Sequence, residues 1–142
     1  MNHHKACWIS ELVLEQSPQL LHQHLEKFCK TLPNYKHDGA IRSVSKICMF
    51  MMQLHVKNSK KNSIFLNEYQ MTQIVDSSFE WLTGDCKVAS KAYAMRILYE
   101  AGKLKTWIYP EMEIILESGY PKHSAAYKSA AKDVLKKIRK SL

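Results

Sequence analysis

Residues 124–142 read SAAYKSAAKDVLKKIRKSL, and the apolar members Tyr127, Ala131, Val134, Leu135, Ile138 and Leu142 recur at spacings of three and four. That is the period of an α-helix with one buried stripe. Lys128, Lys132, Lys136, Arg139 and Lys140 fall on the other side, so the segment splits into an apolar and a basic face, as expected of a terminal repeat that meets water. Ser124 stands in front of it as an N-cap.

The same grammar is legible upstream. Pro110 suits the first turn of a short helix carrying Met112, Ile115 and Leu116, and Gly119 followed by Pro121 stops it. Asn67 caps a helix bearing Met71, Ile74, Val75 and Leu82; Gly84 ends it, and Asp85 is read as the cap of the next helix, VASKAYAMRILYEA, which stops at Gly102. Pro18 opens a helix with Leu21, Leu25, Phe28 and Leu32, and after PNYKH a second one starts at Asp38 and runs through IRSVSKICMFMMQLHV. KNSKKNS, residues 57–63, reads as a solvated loop, and residues 5–15 as a leading helix with no partner before it. The count is three helix pairs plus one orphan helix.

Bulk properties agree with one helical domain over residues 1–142. The chain has 46% hydrophobic and 24% charged residues but only 4 Gly and 4 Pro, too few turn formers for a sandwich of short strands. Cys7, Cys29, Cys48 and Cys86 lie 22, 19 and 38 residues apart with no histidine at zinc spacing, which predicts reduced thiols, no metal and no disulfide. The longest apolar run, 47–52, is far short of a membrane span and no signal peptide is legible, so a cytoplasmic, membrane-free protein is expected. A net charge of +8 suits an anionic partner.

Superposing the second helices of the pairs exposes a repeat. Ile41, Ser45 and Met49 follow Asp38 as Val88, Ala92 and Arg96 follow Asp85 and as Tyr127, Ala131 and Leu135 follow Ser124, with starts 47 and 39 residues apart. Small residues recur where neighbouring helices must pack closely. The expected fold is an all-α, α-α superhelix of HEAT/armadillo-like helix pairs. With Ile41, Val88 and Tyr127 as equivalent zero points and about 100° per residue, polar residues recur about 80–140° around each second helix. They are Arg42, Lys46 and Gln53; Tyr93, Arg96 and Glu100; Lys128, Lys132 and Arg139. If second helices line a concave wall, these strips join into a mainly basic groove, with Lys136 and Lys140 placed outside it.

The motifs WLTGDCKVASKAYAM (81–95), WIYPEMEIILE (107–117) and YPKHSAAYKSAA (120–131) resemble a family of small bacterial HEAT-like proteins of unassigned function, and KACWISELVLE (5–15) resembles an earlier second helix of that family. The resemblance implies a helix pair ahead of the orphan helix. Some members carry the label adenylosuccinate lyase. That superfamily uses a mobile loop of the form SSxMPxKxN, whereas the SS pair here, Ser77 and Ser78, runs into FEWLTG within a helix, so the label implies no activity for this chain.

No catalytic constellation emerges. His22 and His24 diverge around a helix, His3 and His4 sit near the terminus, and Cys86 has no neighbouring histidine to act as its base, although a helix start there would lower its thiol pKa. Glu80, Glu111, Glu113 and Glu117 read as exposed charges of first helices. Trp81, Trp107 and Tyr109 lie near turns, where they lock one hairpin on the next or, when exposed, anchor a partner. The leading functional expectation is a non-enzymatic binding module, without cofactor, that holds an acidic protein or peptide; the alternative is nucleic-acid binding through phosphate contacts, as in HEAT-like DNA glycosylases.

Overall fold

The computed structural model describes residues 18–62, 66–119 and 123–141, and residues 18–24 by their backbone alone; the expected leading helix over 5–15 lies outside the described residues. Six α-helices follow one another: α1 (Pro18–Thr31), α2 (Asp38–Ser59), α3 (Glu68–Thr83), α4 (Val88–Gly102), α5 (Ile108–Gly119) and α6 (Ala125–Ser141), with a 3-10 turn, Leu32–Asn34, after α1. No strand occurs among the described residues, so the fold is all-α.

Helix starts follow local chemistry. At α3 the Asn67 side chain accepts from the Gln70 amide at 2.8 Å while the Gln70 side chain accepts from the Asn67 amide at 3.0 Å, a reciprocal capping box. At α6 the Tyr127 amide donates to Ser124 Oγ at 3.3 Å. At α2 the cap is His37, whose Nδ1 accepts from the Gly39 amide at 3.2 Å. Two sequence expectations are corrected. Asp85 does not cap α4: that helix begins at Val88, and Lys87 in the capping position makes no side-chain bond. The reason lies in residues 84–87, a non-helical corner that bends at Gly84 and Asp85, where Lys91 reaches back and bonds the carbonyls of Leu82 and Gly84. The basic segment 57–63 is not wholly loop either. Helix α2 continues to Ser59, whose hydroxyl donates to the Val56 carbonyl at 2.7 Å, and the chain turns at Asn62, an asparagine in the left-handed region (φ 58°).

Burial follows the apolar stripes. Helix α4 is central and packs against α2, α3, α5 and α6, while α1 lies along α3. Val44, Ile47, Cys48, Met51 and Met52 of α2, Met95, Ile97 and Leu98 of α4, and Tyr127, Ala131 and Ile138 of α6 are sealed from water within one continuous core. Fully burying each large apolar side chain contributes about 1.5–3 kcal/mol, which makes this core the main source of stability.

One polar contact ties the end of α2 to the start of α3. His55 is buried, and its Nδ1 accepts from the Leu66 amide at 3.0 Å. Burial lowers its pKa below the ordinary 6.5, against a smaller upward pull from Glu68. A lowered folded pKa favours the neutral ring, so its contribution is complete above pH 6.5 and is lost as pH falls through the folded-state value. Protonation puts a second donor opposite the Leu66 N–H. Chemical denaturation at pH values on either side of this window should show wild type losing more stability on acidification than His55→Gln; equal losses would rule out His55 as the titrating group.

Candidate binding surface

The charges divide between alternate helices of the chain. The first helices of the pairs, α1, α3 and α5, carry the acids Glu26, Glu68, Asp76, Glu80, Glu111, Glu113 and Glu117 against the bases Lys27 and Lys30. The second helices, α2, α4 and α6, carry Arg42, Lys46, Lys57, Lys91 and Arg96 and six bases of α6, against the acids Asp38, Glu100 and Asp133. Only Lys91 of these bases is buried. Taken together, α1, α3 and α5 are therefore mainly acidic and α2, α4 and α6 mainly basic, with α1 alone among the first set carrying more bases than acids.

The nominated residues are distributed unevenly within that basic set. Arg42 and Gln53 are exposed and Lys46 is half-buried, with its ammonium 5.8 Å from the Phe50 ring centre. Their spacing places all three on the one exposed strip of α2. On α4, Arg96 is exposed and lies 5.9 Å from the centre of the Tyr93 ring, a cation–π arrangement that holds the guanidinium along the helix. Glu100 is half-buried and engaged by Lys103 at 3.1 Å, so it contributes little net charge.

On α6 the nominated strip turns away from this surface. Arg139 meets Glu117 of α5 at 3.2 Å, and Lys128 and Lys132, at helical spacing from Arg139, share that flank. The opposite flank of α6, the row Ala126, Ser129, Ala130 and Asp133, faces Val88, Ala89, Ala92 and Arg96 of α4 across an open furrow of about 670 Å³. Lys140 stands seven residues after Asp133, on the furrow's side, opposite to where the sequence reading put it, whereas Lys136 stands four after Lys132, beside the Lys128, Lys132 and Arg139 strip. The furrow has a structural origin. The row Ile41, Ser45, Met49, Met52 and Val56 is buried on α2, but in the superposed row Val88, Ala92 and Tyr99 of α4 are only half-buried, and Arg96 and Lys103, the latter just past α4, are exposed. Ala92, expected to mark a close helix contact, lines the gap instead.

A second cleft, about 530 Å³, opens where α1, α2 and α3 end or begin, among Leu32, Tyr35, Lys36, Asp38, Glu80 and Cys86. The Cys86 thiol donates to the Trp81 carbonyl at 3.0 Å. Burial raises its pKa, opposed by Lys91, and it sits two residues before α4, so the expected lowering at a helix start does not occur. This is thiol rather than thiolate chemistry. Cys29 and Cys48 are buried, and desolvation pushes the Cys29 thiol up to about 12. His3, His4, His22, His24 and Cys7 lie outside the described side chains.

Trp81 and Tyr109 are buried, whereas Trp107 is 54% exposed although its ring stacks on Phe79 at 6.0 Å. Ser77 and Ser78 are buried within α3, and Ser78 Oγ donates to the Ile74 carbonyl at 2.7 Å. Among the described residues no three His, Cys, Asp or Glu side chains are grouped to hold a metal ion, and no helix is long and apolar enough to cross a membrane. Comparison with protein-family models, with curated proteins and with solved structures returns no match.

Proposed function

We propose that the chain is a HEAT/armadillo-like stack of helix pairs acting in the cytoplasm as a non-enzymatic binding module, in which the second helices present a basic face to an acidic protein or peptide. The observation that carries this reading is the separation of charge between the two sets of alternate helices. A field of one sign over one face raises the local concentration of an oppositely charged partner and speeds its encounter. The alanine- and serine-lined furrow beside Arg96 lets a partner's backbone approach closely.

The test uses a fluorescent glutamate-rich peptide. Reversing Arg42 and Arg96 to Glu should weaken its binding about tenfold, whereas reversing Lys128 and Lys132, on the far flank of α6, should cost much less. Thermal stability should stay within about 1 kcal/mol of wild type, because exposed charges contribute little to folding. Equal losses from both pairs would reduce the effect to diffuse net charge and remove the face as a site. Tighter binding of a duplex oligonucleotide than of the peptide, with a steep salt slope, would replace the protein-partner reading by a phosphate-binding one.

A further inference from the structure

The acidic set carries more than charge. Tyr69 at the start of α3, Leu104 and Trp107 between α4 and α5, and Ile114 on α5 are the large apolar side chains left exposed among the described residues, with Trp107 at 54% and Ile114 at 63%. None belongs to a second helix. Single exposed apolar residues are ordinary, but these four stand on or beside α3 and α5, whose exposed acids include Asp76, Glu80 and Glu111, with Lys105, paired with Glu68, as the base beside Trp107. Trp107 projects beside Met71, Val75 and Asp76 of α3. The second-helix side is its counterpart: the bases of α6 stand on a helix that borders a furrow of small residues, whose charged members are Arg96 and Asp133. Lys137, whose ammonium lies 5.9 Å from the Tyr99 ring centre, borders that furrow near the C-terminal end of α4.

We infer that the acidic partner of the second-helix face is the first-helix face of another copy of this chain. This rests on the binding-module reading above and names its partner. The two faces are different surfaces of one molecule, so the contact is head-to-tail: each copy uses its basic face on one neighbour and its acidic, Trp107-bearing face on the next. Such contacts do not close after two copies, and the assembly lengthens with concentration. Trp107 and Ile114 enter the small-residue furrow while the acids meet Arg96 and Lys140 beside it. Steering by the opposed fields makes the association sensitive to salt.

Sedimentation velocity on the full chain tests this. The weight-average mass should rise steadily with protein concentration at low salt and fall toward the monomer as salt is added. Trp107→Ser with Ile114→Lys breaks the acidic face, and Arg96→Glu with Lys140→Glu breaks the basic one; each double variant should associate at least about tenfold more weakly than wild type. All four positions are exposed, and circular dichroism checks that each variant keeps its helices. Mixed at equal concentrations, the two variants should form a one-to-one complex that grows no further, because each retains the face that the other lacks. A mixture that stays monomeric overturns the inference. So does a monomeric wild type at every concentration: if that wild type still binds the glutamate-rich peptide through Arg42 and Arg96, only the identity of the partner has failed, and if it does not, the binding-module reading fails as well.

Discussion

Replacing Gly102 by Val should cost about 3 kcal/mol or more of folding stability, read as a fall in the denaturation midpoint with an unchanged slope. The sequence marks this glycine as a helix stop, but it lies inside α4 as its last residue, and no glycine among the described residues has positive φ. Its role is space. A Cβ there would stand 2.8 Å from Cζ of Tyr109 and closer still to Cδ1 and Cε1. The ring cannot easily give way: Tyr109 is buried, its hydroxyl donates to the Tyr99 carbonyl at 2.8 Å, and its ring stacks on Tyr99 at 6.0 Å. Burial is the main cause that pushes this hydroxyl up to about 12, so it remains a donor throughout the neutral range. Alanine is the milder probe, because removing a helical glycine returns about 0.5–1 kcal/mol. Gly39→Ala is the control. Its Cβ would meet only the His37 side chain, at 3.5 Å, and should be neutral or stabilising. Combining Gly102→Ala with Tyr109→Leu should cost less than the two single changes together, since the smaller side chain removes the clash; strict additivity would mean the ring is not what Gly102 accommodates.

What the sequence reveals and what it hides divide along a physical line. The apolar stripe of α6, the caps Asn67 and Ser124, and the stop at Gly84 are encoded within a few residues of where they act, and all appear in the structure. The rotation of one helix against its neighbour is not local. Treating Val88 and Tyr127 as equivalent zero points assumed that Asp85 and Ser124 do the same job, yet Ser124 caps α6 while Asp85 caps nothing. The angular strips of α4 and α6 were therefore compared from unequal origins. Arg96 stayed on the open surface of α4, but Lys128, Lys132 and Arg139 turned out to share the flank that meets Glu117. Partners that are backbone groups leave no trace in composition. His55 bonds an amide eleven residues away, and Lys91 bonds carbonyls, so in the sequence both read as ordinary polar positions on helices.

Lys91→Met is expected to destabilise the protein by about 2–3 kcal/mol, a large effect for one lysine in a chain carrying +8. Lysines on a helix are normally solvated, but Lys91 is 5% exposed, and its ammonium donates to the Leu82 carbonyl at 2.9 Å and to the Gly84 carbonyl. Those acceptors stand at the C-terminus of α3, where the last carbonyls of a helix lack intrahelical donors and the helix dipole is negative. The cation answers both needs, and it also ties down residues 84–87, the non-helical corner that delays the start of α4 until Val88. Methionine keeps most of the stem's packing but leaves two carbonyls without their donor. Each charge-assisted bond lost costs about 1.5–3 kcal/mol, and release from burying an ammonium returns part of that total. The loss should be local before it is global. Hydrogen exchange should quicken first at the end of α3 and the start of α4, while the α2 core stays protected. Lys91→Arg should recover only part of the stability, because a planar fork does not reproduce a point donor set between two carbonyls. A methionine variant as stable as wild type, with unchanged exchange at residues 82–88, would show that Lys91 is merely tolerated there and that the α3–α4 corner is fixed by packing alone.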